Sequence, residues 1–335
     1  WVLNEIAYGH ILAAGAKAVI KHLFWPNLIC MAQIKKLVSS TNFAGFVINA
    51  EGGFIMATIV ELNRHTGCAI YYIGHALNVF RSQSTGMAHN SPHVTYFASG
   101  TDQVSEFGVH LAESEKPRRI VLGNPLTVQM NGVKGKRPHP HGKKILILGT
   151  GFSGHATASR ARSAERYLAD TFMVVSRLAL FGWQASYRGH PHHPQLMERG
   201  ISCALGMEDQ ILWDDSPEFS DSLLLHDVVI TAFSSTFYQS LWAGWPTIYY
   251  DPKFIKDSTA KNFFREEIYL GLPVARDISW PVCHDRATLE KMILDSQIPK
   301  TLTSSFPADF STKYAQRFIG ENPATSDQEI AKFII

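Results

Sequence analysis

Short apolar runs, each closed by glycine or small polar residues, alternate along this chain with stretches whose apolar positions recur at helical spacing. Phe43–Asn49 is the first run and opens into Ala-Glu-Gly-Gly at 50–53. Ala69–Ile73 ends at Gly74-His75, and Val94–Ala98 ends in Ser-Gly-Thr-Asp at 99–102, where Ser99 or Thr101 can cap the helix that follows. Ile120–Leu122 runs into Gly-Asn-Pro at 123–125. Runs of this length and composition predict buried strands, and residues 54–64 predict a helix. Between Met130 and Lys144 the chain turns polar, basic and rich in Gly and Pro, the composition of a linker. The alternation then restarts: strand 144–148, helix about 156–181, strand 183–188, a short helix near 194–200, strand 228–231, helix 235–243 and strand 246–250. Two βα-repeating halves predict an α/β fold of two Rossmann-like domains facing a cleft, with the N-terminal domain over 1–135 and the C-terminal domain over 143–335.

Composition narrows the partners. With 335 residues there is room for two cores, and 45% hydrophobic with 18% charged residues describes a globular chain. A net charge of +2 gives no bulk attraction to nucleic acid, although fifteen histidines add positive charge in mild acid. The cysteines (Cys30, Cys68, Cys203, Cys283) show no C-x-x-C spacing and read as thiols of a reducing, cytoplasmic-type compartment. The apolar stretch from Ile6 to Ile34 is broken by Lys17, Lys21 and Pro26, which argues against a membrane span. Residues 4–24 form an amphipathic pattern with a basic end; a docked core helix is the first reading and a peripheral membrane contact the second. No signal-peptide pattern opens the sequence, which starts at Trp1, so targeting stays open.

Candidate chemistry gathers at strand ends, where ligands sit in open α/β sheets. Arg188 and His190 could face a phosphate from one side, and Ser234, Ser235 and Thr236, with the N–H groups of the helix they begin, from the other. Gln239, one turn along that helix, could reach a ribose hydroxyl. Gly149-Thr-Gly151-Phe-Ser153-Gly154 has the spacing of a dinucleotide loop, with Arg188 in place of the expected acidic residue, an arrangement open to NADP. A glycine-rich wall for a nucleotide donor is the other reading of the same loop. The His190–His193 cluster lacks the helical pair of a metal site, so no metal is expected. In the first half, Glu51 stands on a tight turn with Gly52 and Gly53, a position suited to a general base acting on an acceptor hydroxyl, with His75 and Asp102 at neighbouring strand ends. Each motif has a plainer alternative: an N-cap for the serines, a packed His-Pro turn, a solvated glutamate.

Taken in order, Glu-Gly-Gly (51–53), Ser-Gly-Thr-Asp (99–102), Leu-Gly-Asn-Pro (122–125), His190-Pro191, Thr231 to Thr236 and Tyr-Tyr-Asp (249–251) resemble bacterial surface-carbohydrate glycosyltransferases of the GT-B fold. Relatives in that group include capsule-type Kdo and sialic-acid transferases and CDP-glycerol glycerophosphotransferases. The Gly-Asn-Pro element also resembles the UDP-sugar 2-epimerases, which share the fold. The resemblance implies a C-terminal donor domain in which His190 and the serines hold the donor phosphate, and an N-terminal acceptor domain supplying Glu51. It implies a nucleotide-activated sugar, or a polyol phosphate, as co-substrate, CMP- or CDP-linked first and UDP-linked second, a carbohydrate acceptor, and no bound cofactor. Gln239 stands where a glutamate is expected for the ribose. The rivals are a UDP-sugar 2-epimerase, an NADP-dependent oxidoreductase and a non-catalytic carbohydrate-binding protein.

Overall fold

In the computed structural model, the residues described are 25–40, 43–48, 58–59, 67–73, 94–101, 114, 118–136, 142–149, 158–190, 195–232, 234, 236–250, 252, 283–294, 317, 319–320 and 323–334. The chain divides into two compact units, one made of Trp1–His75, Ser82–Ala98 and Phe107–Ile120, the other of Ala76–Arg81, Ser99–Glu106 and Val121–Ile335. Residues 121–136, which include the first part of the expected linker, belong with the second unit: Gly135 N donates to Ala243 O at 3.3 Å.

The first unit holds helix α1 (Trp25–Ser40) and strands β1 (Gly45–Ile48), β2 (Ala69–Ile73), β3 (Val94–Ala98) and all but the last residue of β4 (Arg118–Val121), hydrogen-bonded in the order β1-β2-β3-β4. β1, β2 and β3 run parallel, with Ile70 opposite Val94 and Tyr72 opposite Tyr96. Aromatic neighbours lock that register from both faces. The Tyr72 and Tyr96 rings lie 5.2 Å apart on one face, and Tyr71 and Phe97 stack at 5.9 Å on the other. The helices expected over 4–24 and 54–64 lie outside the described residues except at 58–59, which are helical. Among the described residues, no helix is long and apolar enough to cross a membrane.

The second unit is a doubly wound parallel sheet. Its strands are β5 (Lys144–Leu148), β6 (Gln184–Arg188), β7 (Ile211–Trp213), β8 (Val228–Thr231) and β9 (Thr247–Tyr249), ordered β7-β6-β5-β8-β9. All four pairings are parallel. The central strands read as unbroken apolar runs because both faces are covered: Ile145, Leu146 and Ile147 in β5 and every residue of β8 are buried. Helix α2 (Ala158–Ala179) lays Leu168, Phe172, Val175 and Leu178 along one face into that core. Helices α3 (Leu196–Ala204), α4 (Phe219–Leu224) and α5 (Thr236–Ala243) make the remaining crossovers, and α6 (Arg286–Leu294) and α7 (Ser326–Ile334) follow.

Two local devices fix the strand starts and helix ends that matter later. Asp227 and Lys144 exchange bonds at the start of the sheet, Lys144 N donating to Asp227 Oδ2 and Asp227 N to Lys144 O, both at 2.9 Å. Helix α5 stops at Gly244, whose φ of +91° is open to glycine at little cost. Trp245 N then donates back to Ser240 O at 2.9 Å, a Schellman-type closure, and Pro246 prevents the helix from resuming.

His226 precedes Asp227, buried, with Nδ1 at 2.6 Å from Ser222 O, to which it donates. Burial pushes its imidazole below the ordinary value, against the opposing pull of the Ser222 carbonyl and the Asp214 and Asp227 charges. The unfolded chain therefore takes up this proton more readily than the folded one. The stability that His226 contributes is present above the ordinary imidazole value and is lost as pH falls below it. Urea unfolding of the wild-type chain should lose more stability between about pH 7 and about pH 5 than unfolding of His226→Gln does. Equal slopes would remove His226 from the pH response.

Candidate active site at the carboxyl edge of the second sheet

From β5 the chain winds outward through β6 to β7, returns to the other side of β5 as β8, and continues to β9. Winding direction reverses between β5 and β8, and a crevice opens outside the carboxyl ends of strands at such a reversal. The registers that set Leu148 opposite Arg188 and Ile147 opposite Ile230 bring three loop starts to this edge: Gly149 after β5, Gly189-His190 after β6, and Ala232, Ser234 and Thr236 after β8.

Tyr167, fully buried on α2, places its hydroxyl between the two central strands, 2.9 Å from Leu148 O and 3.1 Å from Ile230 O. One phenolic hydroxyl thus bonds to a carbonyl from each of the two central strands at the reversal point. Burial raises Tyr167 well above the ordinary phenol value, with the neighbouring Tyr249 and Tyr250 adding to the rise, so the proton stays on it.

After β8, Ser234 Oγ lies 2.7 Å from Thr236 Oγ1 and accepts from Thr236 N at 3.4 Å. Ser234 thus caps the first turn of α5, and both hydroxyl residues remain half-buried. His190 is likewise half-buried at the end of β6. Gly149 is tightly constrained. Its N–H donates to Arg188 O at 2.8 Å, and a Cβ there would overlap the Tyr187 hydroxyl.

Two expected donor contacts are arranged differently. Arg188 turns toward the loop after β7: Nη1 donates to Ser216 O at 2.6 Å and to Ser222 Oγ at 2.8 Å, with Asp214 Oδ1 at 3.9 Å. Asp214 is held in turn. Burial pushes its carboxyl up, but the bonds from Ser216 and Ser222 and the Arg188 charge outweigh that and leave it below the ordinary value. Arg188 is therefore an internal strut of β6, β7 and α4, where a phosphate clamp had been expected. Gln239, expected near a ribose, is buried, and its side chain donates from Nε2 to Leu126 O at 3.0 Å, tying α5 to the 3-10 turn Pro125–Met130. That turn explains the Gly-Asn-Pro element. Asn124 caps it, accepting from Leu126 N at 2.8 Å and donating to Ser99 Oγ at 3.1 Å, with Pro125 at the first helical position.

Glu51, Gly52, Gly53, His75, Asp102, Gly151, Ser153 and Ser235 lie outside the described residues. Among the described residues, no group of His, Cys, Asp and Glu could hold a metal ion. Tyr167, Tyr187 and Glu198 had no part in the sequence reading. Apolar runs and turn residues do not reveal which buried hydroxyl lies under a loop.

Neither a protein-family model nor a curated protein sequence matches the chain. Solved structures do. The S. aureus MnaA–UDP complex superimposes with a TM-score of 0.58 at 10% identity, over 93% of this chain and 80% of that one. The Neisseria meningitidis UDP-GlcNAc 2-epimerase bound to UDP-GlcNAc gives 0.53 at 10% identity, over 92% and 80%. The Methanocaldococcus jannaschii UDP-GlcNAc 2-epimerase gives 0.50 at 9% identity, over 92% and 81%. The fold is GT-B-like. At these identities the likeness extends to the fold and stops there.

The Arg188 network carries a stability expectation. Arg188→Met removes the donor to the Ser216 carbonyl and the Ser222 hydroxyl and the charge beside the buried Asp214 side chain, at a cost of about 2 kcal/mol. Chemical denaturation should show that loss, and an unchanged midpoint would mean that the guanidinium does not hold the loop.

Proposed function

We propose that this chain is an enzyme acting on a nucleoside-diphosphate sugar, with the diphosphate held at the carboxyl edge of the second sheet. The observation that supports this reading is the reversal of strand order between β5 and β8, with Gly149, His190 and the Ser234–Thr236 hydroxyls on the three loops that start there. The first turn of α5 adds N–H groups and the positive end of a helix dipole, which favour an anion. Likeness to proteins solved with UDP and with UDP-GlcNAc supports a uracil nucleotide ahead of the cytidine nucleotides that the sequence motifs suggested.

The reaction we carry forward is sugar transfer to a carbohydrate acceptor. The acceptor oxygen attacks the anomeric carbon, the bond from that carbon to the phosphate oxygen breaks, and the electron pair leaves with the nucleoside diphosphate. His190 and the α5 N–H groups neutralise the leaving diphosphate. Glu51 takes the acceptor proton, with Gly52, Gly53, His75 and Asp102 on the acceptor side. The second reading is 2-epimerisation of a free UDP-sugar, favoured by the likeness to solved UDP-GlcNAc 2-epimerases.

Product analysis separates the two. Incubation with UDP-GlcNAc and an oligosaccharide acceptor should release UDP only when acceptor is present. A C2 isomer formed without acceptor selects the epimerase. Neither product, with CMP- and CDP-linked donors also inert, would contradict an enzyme of nucleotide sugars. Under the transferase reading His190→Ala should weaken donor binding by roughly tenfold or more, the value of a charge-assisted hydrogen bond. Glu51→Gln should leave donor affinity intact and cut turnover by about 10²-fold or more.

A further inference from the structure

Beneath the loops assigned to the diphosphate lies a polar pair that the proposed reaction does not use. Tyr187 is fully buried on β6, and Glu198, only 2% exposed, sits in the first turn of α3. The Tyr187 hydroxyl donates to Glu198 Oε1 at 3.2 Å. Burial, reinforced by the Glu198 charge, raises the phenol far above its ordinary value, so the proton stays on Tyr187 and the direction of the bond is fixed.

The hydroxyl is wedged against the backbone of Gly149. A Cβ on Gly149 would overlap it and would lie 3.1 Å from Tyr187 Cζ and 3.3 Å from Arg188 O. Tyr187 cannot step aside. Its ring meets Phe172 and Trp213 edge-on at 5.8 and 5.4 Å, and its carbonyl accepts from Asp214 N at 2.9 Å. On the far side of Arg188, Gly189 packs against the Gln195 side chain, with Gln195 Cγ 2.7 Å from where a Cβ would stand, so the turn bearing His190 folds back toward α3. A Phe–Leu pair would fill the same space without burying a carboxylate, and replacing buried polar pairs by apolar ones is often neutral or stabilising. A directional bond, unlike apolar packing, specifies one ring position.

We propose that Tyr187 and Glu198 form a positioning pair that sets the height of the Gly149 backbone and its spacing from the His190 turn, and so fixes how closely a nucleoside diphosphate's phosphates approach the β5 and β6 loops. This rests on the diphosphate reading above. The pair touches no substrate and acts through Gly149.

Calorimetric titration of UDP, and in parallel CDP, into the full chain tests it, with circular dichroism to establish that each variant is folded. Tyr187→Phe and Glu198→Leu should each weaken binding of the preferred nucleotide about tenfold, the consequence of a small misplacement. Glu198→Gln, which keeps an oxygen acceptor for the phenol, should restore affinity to within about threefold. Gly149→Ala should weaken binding, and adding Tyr187→Phe to it should recover part of the loss, because the overlapping atom is gone. If Glu198→Leu fails to fold, Tyr187→Phe, which removes a single oxygen, carries the test. Wild-type binding with Tyr187→Phe unchanged overturns this inference and leaves the diphosphate reading standing. Absence of binding by either nucleotide to the wild type overturns both.

Discussion

Two carbonyl groups meet one phenol at the centre of the second unit, and the candidate site depends on that meeting. Leu148 O and Ile230 O sit where the two central strands finish, beside the reversal of strand order. Tyr167 bonds to both through one hydroxyl, and in doing so pins α2 across the end of the sheet. Each such hydrogen bond contributes on the order of 0.5–1.5 kcal/mol. The next turn of α2 brings Asp170, which accepts from the Tyr250 hydroxyl at 2.8 Å and pairs with Arg286 at 3.4 Å. Strand β9 and helix α6 are therefore referenced to the same helix that fixes the reversal point.

Much of this architecture was legible in the sequence. Ala69–Ile73, Val94–Ala98, Lys144–Leu148 and Val228–Thr231 are strands over the ranges that the apolar runs suggest; β5 and β8, buried on both faces, are written as nearly unbroken apolar stretches. β7 escaped because only Ile211–Trp213 pair, on a sheet edge that leaves Leu212 exposed, between acidic residues that read as loop. α6 and α7 escaped for want of a surrounding strand alternation.

The loop positions of the site could be read, but the direction of its side chains could not. Arg188 and Gln239 stand at the strand end and helix turn where a ligand contact is reasonable. Their actual partners, Ser216 and Ser222 for one and Leu126 for the other, lie tens to more than a hundred residues away in sequence. Only the packed fold brings such partners together, so a periodicity argument cannot choose between a ligand and a distant carbonyl. The consequence is a division of labour within the second unit. Arg188, Gln239, Tyr167 and the Tyr187–Glu198 pair brace the loops from within. In our proposal, His190, the Gly149 backbone and the Ser234–Thr236 turn form the surface offered to a ligand.

That surface can be tested without knowing the reaction. A ligand that binds only the folded chain raises its melting temperature by mass action, by about 2.7 kcal/mol of stability at a hundredfold excess over its dissociation constant. Melting the wild-type chain with UDP, CDP, CMP, NADP and inorganic phosphate compares the candidate occupants directly. The account expects a nucleoside diphosphate, UDP before CDP, to raise the melting temperature well beyond inorganic phosphate. Stabilisation by NADP alone, or by no nucleotide, would contradict a diphosphate site at the β5–β8 reversal.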